Sequence, residues 1–193
     1  MAGHRVCPWW LGYFLASPLR RFTHDPAVIL SPYVHAGMMV VEPGPGMGFF
    51  TLELARLVGP SGRVIALDVE PRMIAGLQRR ARKAGLLGRI DARVVPPNAM
   101  ALGDVKGAID FIFAFAVVHE MPASGPFFAE ASDALRPGAT LLLVEPAGHV
   151  DEAEFDAELA SADRAGLVVV GYPSIRSSRA ALLRKSAALV AAA

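Results

Sequence analysis

From about position 38 the chain alternates short, mostly unbroken apolar runs with stretches whose apolar residues recur every three or four positions. The runs Met38–Glu42, Arg63–Asp68, Asp91–Val95, Ile109–Phe115 and Thr140–Glu145 predict strands, and their continuity suits strands covered on both faces. Helical spacing between them predicts helices over Phe49–Val58, Pro71–Ala84 and Phe127–Leu135, with a shorter one near Met100. The three longer helices stop at breakers: Gly59-Pro60, Gly85 and Pro137-Gly138. Strand and helix in alternation predict an α/β fold built on a mostly parallel sheet. A further helix, Asp151–Ala165, precedes the apolar run Leu167–Gly171 and an Ala-rich run, Ala180–Ala187, whose pattern suits a strand or a helix equally. The break at Pro173–Ser178 fits a hairpin connection, which would turn the last strand antiparallel.

The first 35 residues have another texture, with Cys7-Pro8-Trp9-Trp10, Tyr13, Phe14 and several prolines. The pattern therefore divides into an aromatic segment, residues 1–35, and a sheet domain, residues 36–193. Trp9, Trp10 and Tyr13 are read as a lid that closes over a ligand and gives its pocket an apolar wall. The alternative is a helix packed on the sheet edge or against a partner.

Composition narrows the function classes. At 53% hydrophobic over 193 residues, the chain can bury a sizeable core without metal or disulfide support. A net charge of +1 with no basic run argues against a nucleic-acid partner. The single cysteine, Cys7, forms no internal disulfide, and a reducing, cytoplasmic compartment is expected. The apolar stretch Trp9–Leu15 falls short of the roughly 20 residues a bilayer span needs, so no membrane partner is expected. Nothing in the pattern fixes an oligomeric state.

The chemistry concentrates at VVEPGPGMGFFTLELARL, from Val40 to Leu57. A buried strand ends in Glu42 and turns through Gly44, Gly46 and Gly48 into a helix. Glycines suit a tight turn that lets a ligand approach the backbone, and the helix beyond offers unpaired N–H groups. The second strand ends in Asp68, placed where this architecture bonds ribose hydroxyls. A nucleoside triphosphate would require a Gly-Lys-Ser/Thr ending, and no lysine is present. A dinucleotide would require a third glycine where Phe49 stands. What remains is an E-x-G-x-G-x-G signature, Glu42 to Gly48.

With VIALDVEPRMI, the strand-four region IDFIFAFAVVHEMP and LRPGATLLLVEP, this loop resembles the class I S-adenosylmethionine-dependent methyltransferases from Met38 to about Lys185. The resemblance implies a Rossmann-like, doubly wound seven-stranded sheet with helices on both faces, mostly parallel, its last strand antiparallel and inserted beside strand five. It implies S-adenosylmethionine as cofactor and S-adenosylhomocysteine as product. Gly44, Pro45, Gly46 and Gly48 would lie against the methionine moiety and ribose. Glu42 would orient the loop or meet the ammonium end through water. Asp68 would take the ribose hydroxyls, Val69 would sit beside the adenine, and Ala114 and Phe115 would line the pocket near the sulfonium. Where the family often has an acid for the adenine amino group, this chain has Pro96-Pro97-Asn98-Ala99; Asn98 is either that acceptor, through its amide oxygen, or an ordinary turn residue.

The methyl acceptor should meet the C-terminal edge of the sheet. His119 there is either a general base or a capping and packing residue, and Glu120 is either a second catalytic group or a solvated acid. Glu145 and His149 follow strand five and are expected to bind substrate together with His119; His4 and Cys7 are further candidates. The spacing matches no closed zinc pattern, so no metal is expected. Phe115-Ala116-Val117-Val118 stands where nucleobase amino-methylating relatives have an Asn-Pro-Pro-Tyr or Asp-Pro-Pro-Tyr. The expected reaction is in-line methyl transfer to a small-molecule nucleophile. The rival readings are a non-catalytic cofactor-binding protein, a protein or RNA methyltransferase recruited by a partner, and, more distantly, a nicotinamide reductase.

Overall fold

The computed structural model of the protein describes residues 23–186. In chain order these form α1 (Pro26–Leu30), β1 (Met39–Pro43), α2 (Thr51–Leu57), β2 (Arg63–Asp68), α3 (Pro71–Lys83), β3 (Ile90–Val94), β4 (Ile109–Phe115), α4 (Ser124–Ala134), β5 (Leu135–Pro146), α5 (Glu152–Arg164), β6 (Leu167–Gly171) and β7 (Ser178–Lys185). The seven strands make one sheet in the order β3-β2-β1-β4-β5-β7-β6. The first five are parallel, and β7 runs antiparallel between β5 and β6. This is the expected seven-stranded, doubly wound sheet with its inserted antiparallel strand.

Alternation along the strands builds two cores. On β4, Phe111 and Phe113 face one side with Val40, Val64 and Leu142, where α1, α2 and α3 pack. Ile112 and Ala114 face the other with Val41, Ile65 and Leu143, where α4 and α5 pack. Both faces of the central strands β1, β2 and β4 are buried, which is why these read as continuous apolar runs rather than alternating ones.

The helices stand where capping chemistry puts them. Glu70 accepts the Arg72 N–H at the start of α3, Pro71 takes the first turn, and Arg80, Arg82 and Lys83 meet the negative end of the helix dipole. Asp151 and Glu154 form a reciprocal capping box at α5.

Several boundaries differ from the sequence pattern. The glycine turn runs on through Phe50, so α2 begins at Thr51 rather than Phe49. The helix expected near Met100 is a short 3-10 turn, Gly103–Val105. α4 begins at Ser124 and ends at Ala134, because Leu135 already pairs with Ile109 and β5 runs straight through Pro137-Gly138. The ambiguous Ala-rich run is β7, drawn into strand by pairing with β5 on one side and β6 on the other; tertiary pairing overrides alanine's helix preference.

Candidate active site

The C-terminal ends of β1, β2, β4 and β5 surround a cavity of about 690 Å³. Its walls are chiefly apolar, with Met47, Phe49, Met73, Phe115, Met121 and Phe127 prominent among them.

At one end lies the glycine turn. Gly44, Gly46 and Gly48 all have positive φ, at 65°, 53° and 84°, where a side chain would be strained. Their surroundings differ. A Cβ on Gly46 would meet nothing within 4 Å, so this backbone faces open space. A Cβ on Gly48 would come within 2.4 Å of Leu77 Cδ1 on α3. Gly44 and Gly46 therefore border the cavity, whereas Gly48 lets the turn pack on α3 and does not line it. Pro45 lies on the wall between them. Glu42 is buried beneath the turn, away from the wall.

Asp68 closes β2 on the cavity floor. Burial pushes its carboxyl up to about 6, while the backbone N–H groups of Glu70, Gly46 and Val69 draw it back toward the ionised form. The Glu70 N–H donates to Asp68 Oδ1 at 2.9 Å. Val69, Asn98 and Ala99 extend the same wall. Open space at Gly46 beside a half-buried acceptor-only carboxylate suits a ligand that brings hydroxyl donors close to the backbone. These residues fit the nucleoside of S-adenosylmethionine.

The other end is built from side chains. The 3-10 turn Val118–Glu120 follows β4. Glu145, completely buried on β5, accepts the Val118 N–H through Oε1 at 2.8 Å and binds His119 Nδ1 through Oε2. A carboxylate only accepts, so the proton of the neutral imidazole sits on Nδ1 and Nε2 is left as the basic nitrogen. The bond to Glu145 raises the His119 pKa above the ordinary imidazole value, against the opposing effect of burial. The His149 ring stands edge-on to His119 with centroids 5.9 Å apart, and both rings and Glu120 line the cavity.

Three expectations are corrected: Gly48, expected against the methionine moiety and ribose, packs on α3 instead, and two further residues lie off the wall. Ala114 does not border the pocket: its β4 position points it into the α4–α5 core, fully buried, and Phe115 with Ala116 takes that wall. Glu145 is not a substrate contact, since with no exposed surface it reaches the cavity only through His119. Trp9, Trp10 and Tyr13, like His4 and Cys7, lie outside the described residues.

Other wall residues went unforeseen. His24 lines the cavity, stands edge-on to Phe115 at 5.2 Å and bonds the Arg176 carbonyl through Nε2 at 3.0 Å. Ala116 and Ser177, also on the wall, are two of the three non-glycine residues with positive φ among those described. Backbone strain of this kind gathers around functional clefts. Nothing in the local sequence of His24 or Ser177 signals the role, because the fold brings them in from opposite ends of the chain.

Comparison with known proteins follows the same outline. A family model described as a methyltransferase domain matches residues 34–174. Over 126 residues the chain is 30% identical to the ubiquinone/menaquinone biosynthesis C-methyltransferase UbiE of Pasteurella multocida, which is 65% of this chain and 44% of that protein. Over 114 residues it is 32% identical to the ribosomal protein L11 methyltransferase of Pelotomaculum thermopropionicum, 59% of this chain and 34% of that one. The match thus spans less than half the length of either relative. The crystal structure of a SAM dependent methyltransferase from Aquifex aeolicus shares the fold, with a TM-score of 0.83 and 24% identity over 93% of this chain and 100% of that one.

Proposed function

This chain belongs to the methyltransferase domain family, an S-adenosylmethionine-dependent family of class I fold, and on that premise we propose that it methylates a small-molecule nucleophile. The observation that carries the reading is His119, on the wall of the cavity whose far end holds Asp68 and the glycine turn, held from behind by the buried Glu145. A volume of about 690 Å³ lies within the roughly 300–1,000 Å³ usual for small-ligand sites.

When bound, S-adenosylmethionine supplies an electrophilic methyl group on its sulfonium. Asp68 would accept from the ribose hydroxyls, Gly44, Pro45 and Gly46 would give the backbone approach, and Val69, Asn98 and Ala99 would border the adenine. Phe115 and Ala116 wall the space between the two ends. His119 receives the acceptor's proton at Nε2, and Glu145 stabilises the imidazolium that results. The apolar lining excludes water and holds the reactants in line. Glu120 and His149 bound the acceptor, and the sequence suggests substrate-side roles for Trp9, Trp10 and Tyr13 as well. Among the described residues no helix is long and apolar enough to cross a membrane; the single cysteine supports a reducing, cytoplasmic setting.

Calorimetric titration with S-adenosylmethionine, S-adenosylhomocysteine and NADH, followed by an acceptor screen with His119→Ala as control, tests the proposal. Micromolar binding of both adenosyl ligands, about −8 kcal/mol, and turnover that depends on His119 are expected. Binding of NADH alone would overturn it. A macromolecular acceptor is the second reading, favoured by the relative named for ribosomal protein L11; its mark is turnover with protein fractions and none with small acceptors.

A further inference from the structure

Among the described residues, three other than glycine have positive φ: Ala101, Ala116 and Ser177. Two of them stand on the cavity wall, Ala116 at 53° and Ser177 at 55°. Each directly follows a residue that His24 touches. The His24 ring is edge-on to Phe115, with centroids 5.2 Å apart, and its Nε2 lies 3.0 Å from the Arg176 carbonyl oxygen. A carbonyl only accepts, so the proton is on Nε2 and the histidine is the donor. The bond joins residues 152 positions apart in the chain.

Both sides of this contact are anchored. At the start of α1 the Asp25 side chain accepts the Ala27 N–H at 2.9 Å and Pro26 takes the first turn, which sets the direction of the residue before the cap. The helix docks through Leu30, which is fully buried. On the other side, residues 172–177 connect β6 to β7. Ile175 packs on the same core as Leu30 and Phe115. The Ser178 N–H donates to the Ile175 carbonyl at 3.2 Å, and the Ala147 N–H to the Ser177 carbonyl at 3.1 Å. Ser178 Oγ also donates to the Arg176 carbonyl, at 3.2 Å. Positive φ at a residue with a side chain persists only where its neighbours hold it. Phenylalanine at position 24 would keep the ring contact, but only a donor can bind the Arg176 carbonyl.

We propose that His24 is a positioning residue that clasps the two strained turns together and closes the cavity wall between them. Its ring steadies Phe115, which walls the space between the nucleoside end and the His119 end. Its N–H pins the turn that carries Ser177 and Ser178 on the same wall. When the clasp opens, the residues leading into α1 part from the β6–β7 connection and the wall opens beside Phe115. The bearing on cofactor release rests on the proposed function; the clasp itself does not.

The test compares two variants of the full chain. His24→Phe keeps a ring and loses the donor, whereas His24→Gln keeps a donor and loses the ring. Hydrogen exchange followed by NMR on the ligand-free protein reads the amides of Ala147 and Ser178. In His24→Phe both should exchange roughly 3- to 10-fold faster, as expected for loss of one hydrogen bond, while the amides of β5 in mid-sheet stay as they were. In His24→Gln the protection should return; a packing role alone would give the reverse order. Unchanged exchange in a folded His24→Phe protein, or failure of glutamine to restore protection, would overturn the proposal. If neither variant folds, the unaltered protein decides: side-chain nitrogen NMR should find the proton of neutral His24 on Nε2, and a proton on Nδ1 alone refutes the clasp. Release of S-adenosylhomocysteine, followed by rapid mixing, should quicken by the same factor in His24→Phe and not in His24→Gln. Unchanged release beside quickened exchange would overturn the closure of the wall. A chain that binds no S-adenosylhomocysteine would defeat the proposed function and leave the ligand-free results to decide the clasp.

Discussion

The two ends of the cavity are made of different materials. The β1–β2 end is backbone: a turn whose positive φ values and open face at Gly46 are properties of main chain, with Asp68 the principal side chain. The β4–β5 end is side chains on borrowed supports, with His119 held by a carboxylate 26 residues further along the chain. In the proposed function the first end holds the nucleoside and the second meets the methyl acceptor. On that proposal, binding is built largely from main chain and chemistry from side chains that one substitution can retune.

The largest expected separation between the ends comes from His119→Ala. Turnover should fall about 10²- to 10⁴-fold, the usual loss on removing a general base, while titration shows cofactor affinity nearly unchanged. Equal loss of both would make His119 structural. Next, Gly48→Ala should cost about 2–4 kcal/mol in thermal or denaturant unfolding, from left-handed strain and crowding of the fully buried Leu77. Asp68→Ala should weaken S-adenosylmethionine binding by about 1.5–3 kcal/mol, roughly 10- to 150-fold, and leave the His119 titration in place; unchanged affinity would mean that the carboxylate does not hold the ribose.

A smaller effect follows from pH. If the ribose binds ionised Asp68, affinity should drop as pH falls through about 6, by at most tenfold per pH unit. The ligand-free fold should respond in the opposite sense. With the folded pKa raised above its unfolded value, Asp68 contributes stability that is complete below about 4 and lost as pH rises through about 6. Asp68→Asn should abolish both slopes, measured by titration and by unfolding across pH 4–8. The smallest change is Gly46→Ala, where strain of about 1–2 kcal/mol meets no clash; stability should suffer less than in Gly48→Ala while cofactor affinity is affected.

The same contrast governs what the sequence discloses. The glycine turn and Asp68 are legible because their roles depend on spacing within one strand-turn-helix unit. Even there, Gly44, Gly46 and Gly48 look alike in sequence, and only the structure shows that a side chain would run into Val117 at Gly44 and Leu77 at Gly48 but meet open space at Gly46. Ala114 was misplaced by one position, and in a strand one position exchanges pocket for core. At the other end His119 and Glu145 are each visible as polar residues at strand ends, but their pairing depends on how β4 and β5 align. His24 and Ser177 carry no local signal at all. Their place on the cavity wall arises from how the fold brings them together.

The position of β1 at the middle of the sheet has a consequence for biosynthesis. Its neighbour on one side is β2, but on the other Val40 pairs with Phe111, 71 residues later (111 − 40). At about 5–20 residues per second, the ribosome takes on the order of 4–14 s to deliver that partner. Until then an apolar strand edge is open to solvent and to other nascent chains, a recognised aggregation hazard. Demand for chaperones should therefore be greatest while the segment between β2 and β4 is being synthesised, well before the His119 end of the cavity exists.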